Sequence, residues 1–516
     1  MEPSHLYWKF IYNLVIKENA RVLDLSPDKK QIWLELENQN KKAVVRVAKV
    51  EHDWMQQLKA DAEHTKQMFS KIKKMIVGRN ILFFNIYVSS YPPVDLYSSL
   101  AEHWKDEKRM RPYFLSKDPS EQIADRPDQV FKDLGASAVW EQITEMTAEE
   151  HEMYANYYRK AVQTQQKNME KQDRSLLFFS KQRFIYVLLA AILLVFVWVE
   201  QSGGSTNILT LIEFGAKYNP AIMNGEWWRL FSSMFLHIGM FHLFMNSLAL
   251  FYLGGAVERM YGTFRFIFIY FTAGFFGSLA SFALNEQVSA GASGAIFGCF
   301  GALLYFGVIH KKLFFRTMGM NVLVILAINL MFGFVVPAVD NGAHIGGLIG
   351  GFAASATVHL PKHRFKGSQF VSLLALPSLA GALLWYGLVN EDKMESASMN
   401  VQLAQEYLQQ DNIQEARTIL NETLEMNDNA LAYFVLGNSY LQENKFEEAI
   451  SSYKNATRLD KELAQAYYNL SIAYMEVDEL DEAESALQRA KSLNEQQQND
   501  DMEIERIESL LEQQRD

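Results

Sequence analysis

Seven stretches of the chain are apolar almost without interruption: 184–199, 241–257, 266–284, 293–309, 322–338, 344–360 and 370–389. Each approaches the length of about 20 residues that a helix needs to cross a bilayer core. Their flanks predict an orientation. Lys181 and Arg183 precede the first stretch, and Arg259 and Arg265 lie between the second and third. Lys311, Lys312 and Arg316 join the fourth to the fifth, and Lys362, Arg364 and Lys366 join the sixth to the seventh. The opposite loops carry Asn285 and Glu286, or Asp340 and Asn341. Basic loops stay on the cytosolic side, so the N-terminus is expected in the cytosol and the C-terminus outside. The long connection 201–240 falls outside and is expected to be half-immersed. It holds Glu226-Trp227-Trp228-Arg229, in which Arg229 reads as a loop fastener, because interfacial Arg and Trp anchor.

The ends of the chain are polar and patterned differently. Apolar residues alternate over 32–36 and 44–48 around Asn38-Gln39-Asn40, which predicts a hairpin. Trp54, Leu58, Ala62, Thr65, Phe69, Ile72 and Ile76 then trace one face of a helix over 53–77, and 81–88 reads as a buried strand. Thr147 with Glu150 forms a capping-box pattern for a helix leading toward the first apolar stretch. This ββαβ order resembles the core of nuclease-like folds. The acid that such a site needs two residues before Lys49 is replaced by Val47, so no nuclease activity is expected.

Beyond the last apolar stretch, Tyr433, Leu436, Gly437, Tyr440, Phe446, Ala449, Tyr453 and Ala456 recur 34 residues later as Tyr467, Leu470, Ser471, Tyr474, Leu480, Ala483, Leu487 and Ala490. A weaker copy with Leu403, Ala404, Tyr407, Ala416 and Leu420 is offset by 33. Period and pattern resemble the tetratricopeptide repeat, a stacked pair of helices. Three repeats and a polar helix over 501–514 would make a capped solenoid whose concave face is expected to hold a protein or peptide partner, with a mere spacer as the competing reading. Three domains are therefore expected: 1–175, a cytosolic α/β regulatory domain; 180–390, a membrane domain of seven transmembrane helices; and 395–516, an extracytosolic repeat domain.

Composition narrows the functions open to the chain. A net charge of -11 argues against a nucleic-acid partner. The single cysteine, Cys299, excludes an intramolecular disulfide framework and reads as a small packing residue.

Candidate chemistry lies in the apolar stretches. His242 and Asn246 are one helical turn apart on one face. Counted inward to the first cytosolic basic residue, His242 is 17 residues from Arg259, Ser293 is 18 from Lys311, and His344 is 18 from Lys362. At 1.5 Å per residue each distance is roughly 26 Å, so the polar groups of three helices share one depth. Polar side chains at such depth are costly and mark function. Gly294-xxx-Gly298, Gly346-xxx-Gly350 and Gly347-xxx-Gly351 are patterns that let helix backbones approach closely.

At these residues the chain resembles the rhomboid intramembrane serine proteases. The marks are Trp228-Arg229, His242-Leu243-Phe244-Met245-Asn246, Gly255-Ala256-Val257-Glu258, Gly291-Ala292-Ser293-Gly294 and Gly342-Ala343-His344-Ile345-Gly346-Gly347, in family order. The resemblance implies a six-helix core with a seventh helix, Ser293 as nucleophile and His344 as general base. It implies an oxyanion hole from the side chains of His242 and Asn246 and the backbone N–H groups of Ser293 and Ala292. It also implies transmembrane substrates cut after a small residue in a locally unstable helix, with no cofactor required and a role in membrane-protein processing or quality control in a bacterial cell membrane. One departure is Phe297, where the family often has a tyrosine stacked on the histidine. Glu258 and Arg259 read as structural.

Two further expectations complete the reading. Asp53, Gln57, Asp61 and His64 share a polar helix face, on which Asp61 and His64 form a candidate pair for a regulatory divalent cation. A solvated face is the competing reading, since any amphipathic helix shows one. The competing function is an inactive relative serving as an adaptor that presents membrane proteins to other machinery.

Overall fold

The computed structural model describes residues 2–38, 41–73, 76, 78, 80–96, 110–116, 124–137, 140, 146–336, 339–361, 367–390, 396–497 and 503–515. Gln39 and Asn40 of the expected turn, Val77 and Asp501 at expected helix ends, and the basic residues Lys362, Arg364 and Lys366 lie outside the described residues. The chain divides into two compact bodies, one of Met1–Phe179 with Phe306–Leu323 and one of Ser180–Tyr305 with Val324–Asp516.

In the first body, α1 (Pro3–Tyr12) precedes a five-stranded sheet ordered β1 (Arg21–Leu25), β2 (Gln31–Asn38), β3 (Lys41–Lys49), β4 (Ile81–Ser89) and β5 (Met110–Ser116). The first three strands are antiparallel, and β3, β4 and β5 are parallel. The crossover from β3 to β4 is α2 (Met55–Lys73), which gives the expected ββαβ order. Side chains alternate across the sheet. Ile32, Leu34, Val45 and Val47 face a core with α1, α3 (Pro127–Leu134) and α4 (Ala148–Leu177), whereas Trp33, Val44 and Phe83 pack with Ala62 of α2 on the other face. Thr147 and Glu150 form the reciprocal capping box that starts the 30-residue α4.

The second body begins with α5 (Phe184–Gln201). The Glu258 carboxylate accepts the backbone N–H groups of Arg183, Phe184 and Ile185 and the Thr263 hydroxyl, so this buried acid satisfies an otherwise orphaned helix start. The connection 201–240 folds into three short helices, α6 (Ile208–Glu213), α7 (Asn219–Met223) and α8 (Arg229–Ser232). Arg229 is buried among them and donates to the carbonyls of Ile212 and Ala216 and to Glu226, the fastening role expected of it.

Helices occupy all seven apolar stretches: α5, then α9 (Gly239–Tyr261), α10 (Thr263–Leu284), α11 (Ser293–Ile309), α13 (Gly319–Val335) after the short α12 (Lys311–Thr317), α14 (Asn341–Val358) and α15 (Gly367–Val389). By length and composition alone, four of them suffice to cross a membrane, and a fifth does if α12 and α13, bent by 74°, count as one span. The shortfall has a physical cause. Helix α11 is only 17 residues long, and α14 spends five glycines, Asn341 and His344 on close packing and chemistry, which lowers its mean hydropathy. One helix, α11, passes from the second body into the first, where α12 meets the sheet domain. Arg316 pairs with Glu35 at 3.4 Å and with Asp173 at 3.8 Å, Lys312 pairs with Glu37, and Arg21 pairs with Asp173.

The C-terminal repeats are three helix pairs, α16 (Ala397–Gln409) with α17 (Ile413–Met426), α18 (Ala430–Gln442) with α19 (Phe446–Leu459), and α20 (Ala464–Glu476) with α21 (Leu480–Gln497), closed by α22 (Ile504–Arg515). The turn inside each pair holds one left-handed residue, Asp411, Asn444 and Asp478, at the same 33- and 34-residue offsets as the sequence repeat.

Candidate active site

Glycine stripes assemble the site. Helix α14 carries two, and they serve different neighbours. Gly347 and Gly351 press on α11: a Cβ at 347 would lie 2.0 Å from the Gly294 carbonyl oxygen, and one at 351 would lie 2.2 Å from that of Gly298. Gly346 and Gly350 press on α10, where a Cβ would lie 2.5 Å from the Phe276 carbonyl oxygen and 2.6 Å from Phe276 Cβ. Contacts this short allow only hydrogen at these positions. They bring the first turn of α11, which starts at Ser293, against the first turns of α14, which hold His344. A Cβ at Gly294, next to Ser293, would lie 3.4 Å from the carbonyl oxygen of Ala343, next to His344.

The two candidate groups differ in exposure as their roles require. Ser293 is half-buried and opens to the surface, while His344 is buried. Phe297, one turn below Ser293, lies flat on the His344 imidazole, with ring centroids 4.1 Å apart and planes 10° from parallel. Stacking therefore survives the replacement of tyrosine by phenylalanine. Among the described residues His344 Nδ1 is buried without a hydrogen-bond partner, and none of their carboxylates orients the ring through that nitrogen. A base held by stacking rather than by a third acid fits a dyad.

His242 approaches from α9. A Cβ at Gly291 would lie 3.1 Å from His242 Nε2 and 3.8 Å from Ser293 Oγ, so the imidazole and the hydroxyl border one small space. Gly291 has φ +147°, a conformation that favours glycine. The Ile238 N–H donates to His242 Nδ1 at 3.3 Å. That bond places the proton of a neutral ring on Nε2, the nitrogen that borders the same space as the Ser293 hydroxyl.

Two expected oxyanion groups are engaged elsewhere. Asn246 Nδ2 donates to the His242 carbonyl at 3.0 Å, and the Ala292 N–H points toward His237 Nε2 at 3.4 Å. His237 was not singled out in the sequence, although it is buried with its ring centroid 5.3 Å from that of His242. Its signal was a histidine inside an otherwise apolar run, five residues before His242 and so off that residue's helical face.

Asp61 and His64 have different surroundings. Both Asp61 carboxylate oxygens accept from Arg46, at 2.6 and 2.9 Å, and one also accepts from the Tyr87 hydroxyl at 2.8 Å. Burial pushes the Asp61 carboxyl up, but Arg46 and Tyr87 outweigh it and hold the group below the usual carboxylate range. His64 is exposed. Among the described residues, no group of three or more His, Cys, Asp or Glu side chains is arranged to hold a metal ion.

Known proteins share sequence with this chain over much of its length. The rhomboid domain model matches residues 224–361, and two repeat models, TPR repeat and tetratricopeptide repeat, match 437–478 and 464–497. Rhomboid protease GluP of Bacillus subtilis (strain 168) is 36% identical over 465 residues, which is 88% of this chain and 88% of that protein. Putative rhomboid protease YdcA of the same organism is 36% identical over 27% of this chain and 70% of its own length. RHOMBOID-like protein 5 of Arabidopsis thaliana is 38% identical over 32% of this chain and 55% of its own. The first of these alignments runs well beyond the membrane helices, so it covers soluble sequence too. With the serine and histidine helices locked together by glycine, this chain belongs to the rhomboid family of intramembrane serine proteases.

Proposed function

We propose that Ser293 attacks the scissile carbonyl of a transmembrane substrate while His344 takes its proton and returns it to the leaving amine. The observation that carries this is the glycine-mediated contact of α11 with α14, which sets the Ser293 turn beside the His344 turn with Phe297 fixing the imidazole plane. His242 donates through Nε2 to the developing oxyanion. Asn246 and the N–H groups of Ala292 and Ser293 complete the hole once the substrate carbonyl enters. Asn246 has a second N–H to offer, and the long Ala292 bond to His237 is weak enough to exchange. Donors already in place where charge develops usually form the largest single catalytic contribution.

Domains 1–175, 180–390 and 395–516 then act as cytosolic regulator, seven-span protease and extracytosolic repeat module in a bacterial cell membrane, with the N-terminus inside. The repeats would hold a protein or peptide partner on their concave face. A regulatory cation at Asp61 and His64 would have to displace the Arg46 guanidinium, so the buried ion pair argues for a structural role for that face. Relatives named as proteases, together with the retained serine and histidine, leave an adaptor-only role without support.

The test uses the full chain in membranes with a transmembrane reporter. Ser293→Ala and His344→Ala each abolish cleavage while the protein accumulates, and the double variant is no worse than either single, because nucleophile and base act as a unit. Cleavage by either single variant would remove the dyad. A tag after Asp516 should be reached by protease added outside protoplasts and a tag before Met1 protected; both tags on one side would refute seven crossings.

A further inference from the structure

A second polar cluster lies near the dyad and is not part of it. Lys217, in the connection between α6 and α7, is fully buried. Its ammonium donates to the carbonyls of Asn285 and Gln287, at 2.8 and 2.7 Å, in the loop that leads from α10 to Ser293. Its backbone pairs with Ser289 in both directions, at 2.9 and 3.0 Å. Four residues before Ser293, the nucleophile's approach is thus tied to one lysine. Asn219 adds a bond to the Asn285 carbonyl at 3.2 Å.

Asp340 does the same for the base. It is the N-cap of α14, and its carboxylate accepts the Ala343 N–H at 2.9 Å while its own carbonyl accepts the His344 N–H at 3.2 Å. The other carboxylate oxygen accepts the Ser281 hydroxyl of α10, and Asn285 bonds the same side chain. The charges of Lys217 and Asp340 act on one another. A buried lysine is costly unless it is paired and fully hydrogen-bonded, and this one donates to the loop that leads to Ser293 while its charge acts on the Asp340 carboxylate that caps the His344 helix.

We propose that Lys217 and Asp340 are positioning residues, a charged pin that sets the register of the Ser293 loop against the first turn of α14. The proposal rests on the assignment of Ser293 and His344 as the dyad. Neither residue of the pin touches the reacting atoms. Asp340 acts on His344 through its backbone and through its charge, and Lys217 acts through the 285–289 loop. A small misplacement of nucleophile against base is expensive, since shifts of about 1 Å cost as much as 10²-fold in rate.

The experiment uses the full chain in liposomes, with a transmembrane reporter and a fluorophosphonate probe that reacts with an activated serine. Asp340→Asn keeps a capping side chain and removes the charge. It should lower kcat by about ten- to a hundredfold, leave KM within about twofold, and slow probe labelling by the same factor as kcat. Lys217→Met should behave alike, and the double variant should be no worse than the weaker single, because the two form one device. Asp340→Ser serves if the asparagine variant does not accumulate. Wild-type kcat in Asp340→Asn and Lys217→Met overturns the pin, as does a loss confined to KM with normal labelling. Ser293→Ala separates the two ideas: labelling that persists in it overturns the dyad, whereas its silence beside unaffected pin variants overturns the pin alone.

Discussion

Phe297 lies parallel to His344, face to face, with ring centroids 4.1 Å apart. Among the described residues His344 Nδ1 has no hydrogen-bond partner, and this stack holds the plane of the proposed base. Aromatic pairs contribute about 0.5–1.5 kcal/mol beyond their buried area. Phe297→Ala should therefore lower kcat by about tenfold with little change in KM. Phe297→Tyr should keep turnover near that of the original chain. Equal turnover in all three proteins, measured on one transmembrane reporter, would show that the stack does not orient the base.

His242 holds its Nε2 proton because Ile238 donates to Nδ1. His242→Ala should lower kcat by about 10² to 10³, the usual cost of one oxyanion donor. Asn246→Ala should cost less, because one of its N–H groups already serves the His242 carbonyl. Single-turnover rates at saturating substrate test this order. A larger loss at Asn246 than at His242 would reverse the assignment.

How much of this was legible in the chain depended on the range of the interaction. The seven apolar stretches, the ββαβ core and the 33- and 34-residue repeat are local periodicities, and each returned as helices, strands or repeat turns. The contact of α11 with α14 was legible because Gly294, Gly298, Gly347 and Gly351 stand at paired spacings beside Ser293 and His344. Which stripe meets which helix was not readable, since Gly346 and Gly347 are neighbours in sequence and differ only in the direction they face. Helix α1 and strands β1 and β5 were not foreseen because their apolar residues gain meaning only against distant partners, as Phe10 does on Phe131. The grouping of α12 with the sheet domain rests on pairs such as Arg316 with Glu35, 281 residues apart, which leave no local pattern.

Those pairs give a prediction of their own. Glu35 is nearly buried and Arg316 is mostly buried, so their pairing is less screened than a surface bridge. Lys312→Glu with Arg316→Glu would set like charges against Glu35, Glu37 and Asp173. Hydrogen exchange of the full chain should then quicken in α12 and along β2, with the repeat helices unchanged. Unchanged exchange in α12 would mean that apolar packing of Leu313 and Phe314 holds it instead.

The glycine stripes predict a sharp contrast. A Cβ at Gly347 would meet the Gly294 carbonyl oxygen at 2.0 Å and its carbon at 2.7 Å, both rigid backbone atoms beside the nucleophile. Gly347→Ala must push α14 away from α11, at about 1–3 kcal/mol or more, and should abolish cleavage. Gly381, in α15, has nothing within 4 Å of an added Cβ, so Gly381→Ala should be neutral or slightly stabilising. Thermal melting and reporter cleavage of the two variants decide this, and equal effects would contradict the close approach.

His5 should make the first body sensitive to acid. It is buried on α1 against α4, its Nδ1 is 2.7 Å from Nδ1 of His151, and Tyr154 and Tyr158 flank its ring. Burial first, then the nearby His151, Lys9 and chain terminus, lowers its pKa from 6.5 to about 4. The folded state thus disfavours the protonated ring, while an unfolded chain takes up the proton near pH 6.5. Its contribution to stability is complete above that pH and is lost progressively as pH falls toward about 4. The contact between His5 and His151 needs one donor and one acceptor nitrogen, so it fails when both rings are protonated. Protection of α1 amides in the full chain should therefore fall between pH 7 and pH 5 by more than the intrinsic exchange rate explains, and His5→Phe should flatten that dependence. If the variant keeps the same pH dependence, the acid sensitivity of α1 arises elsewhere.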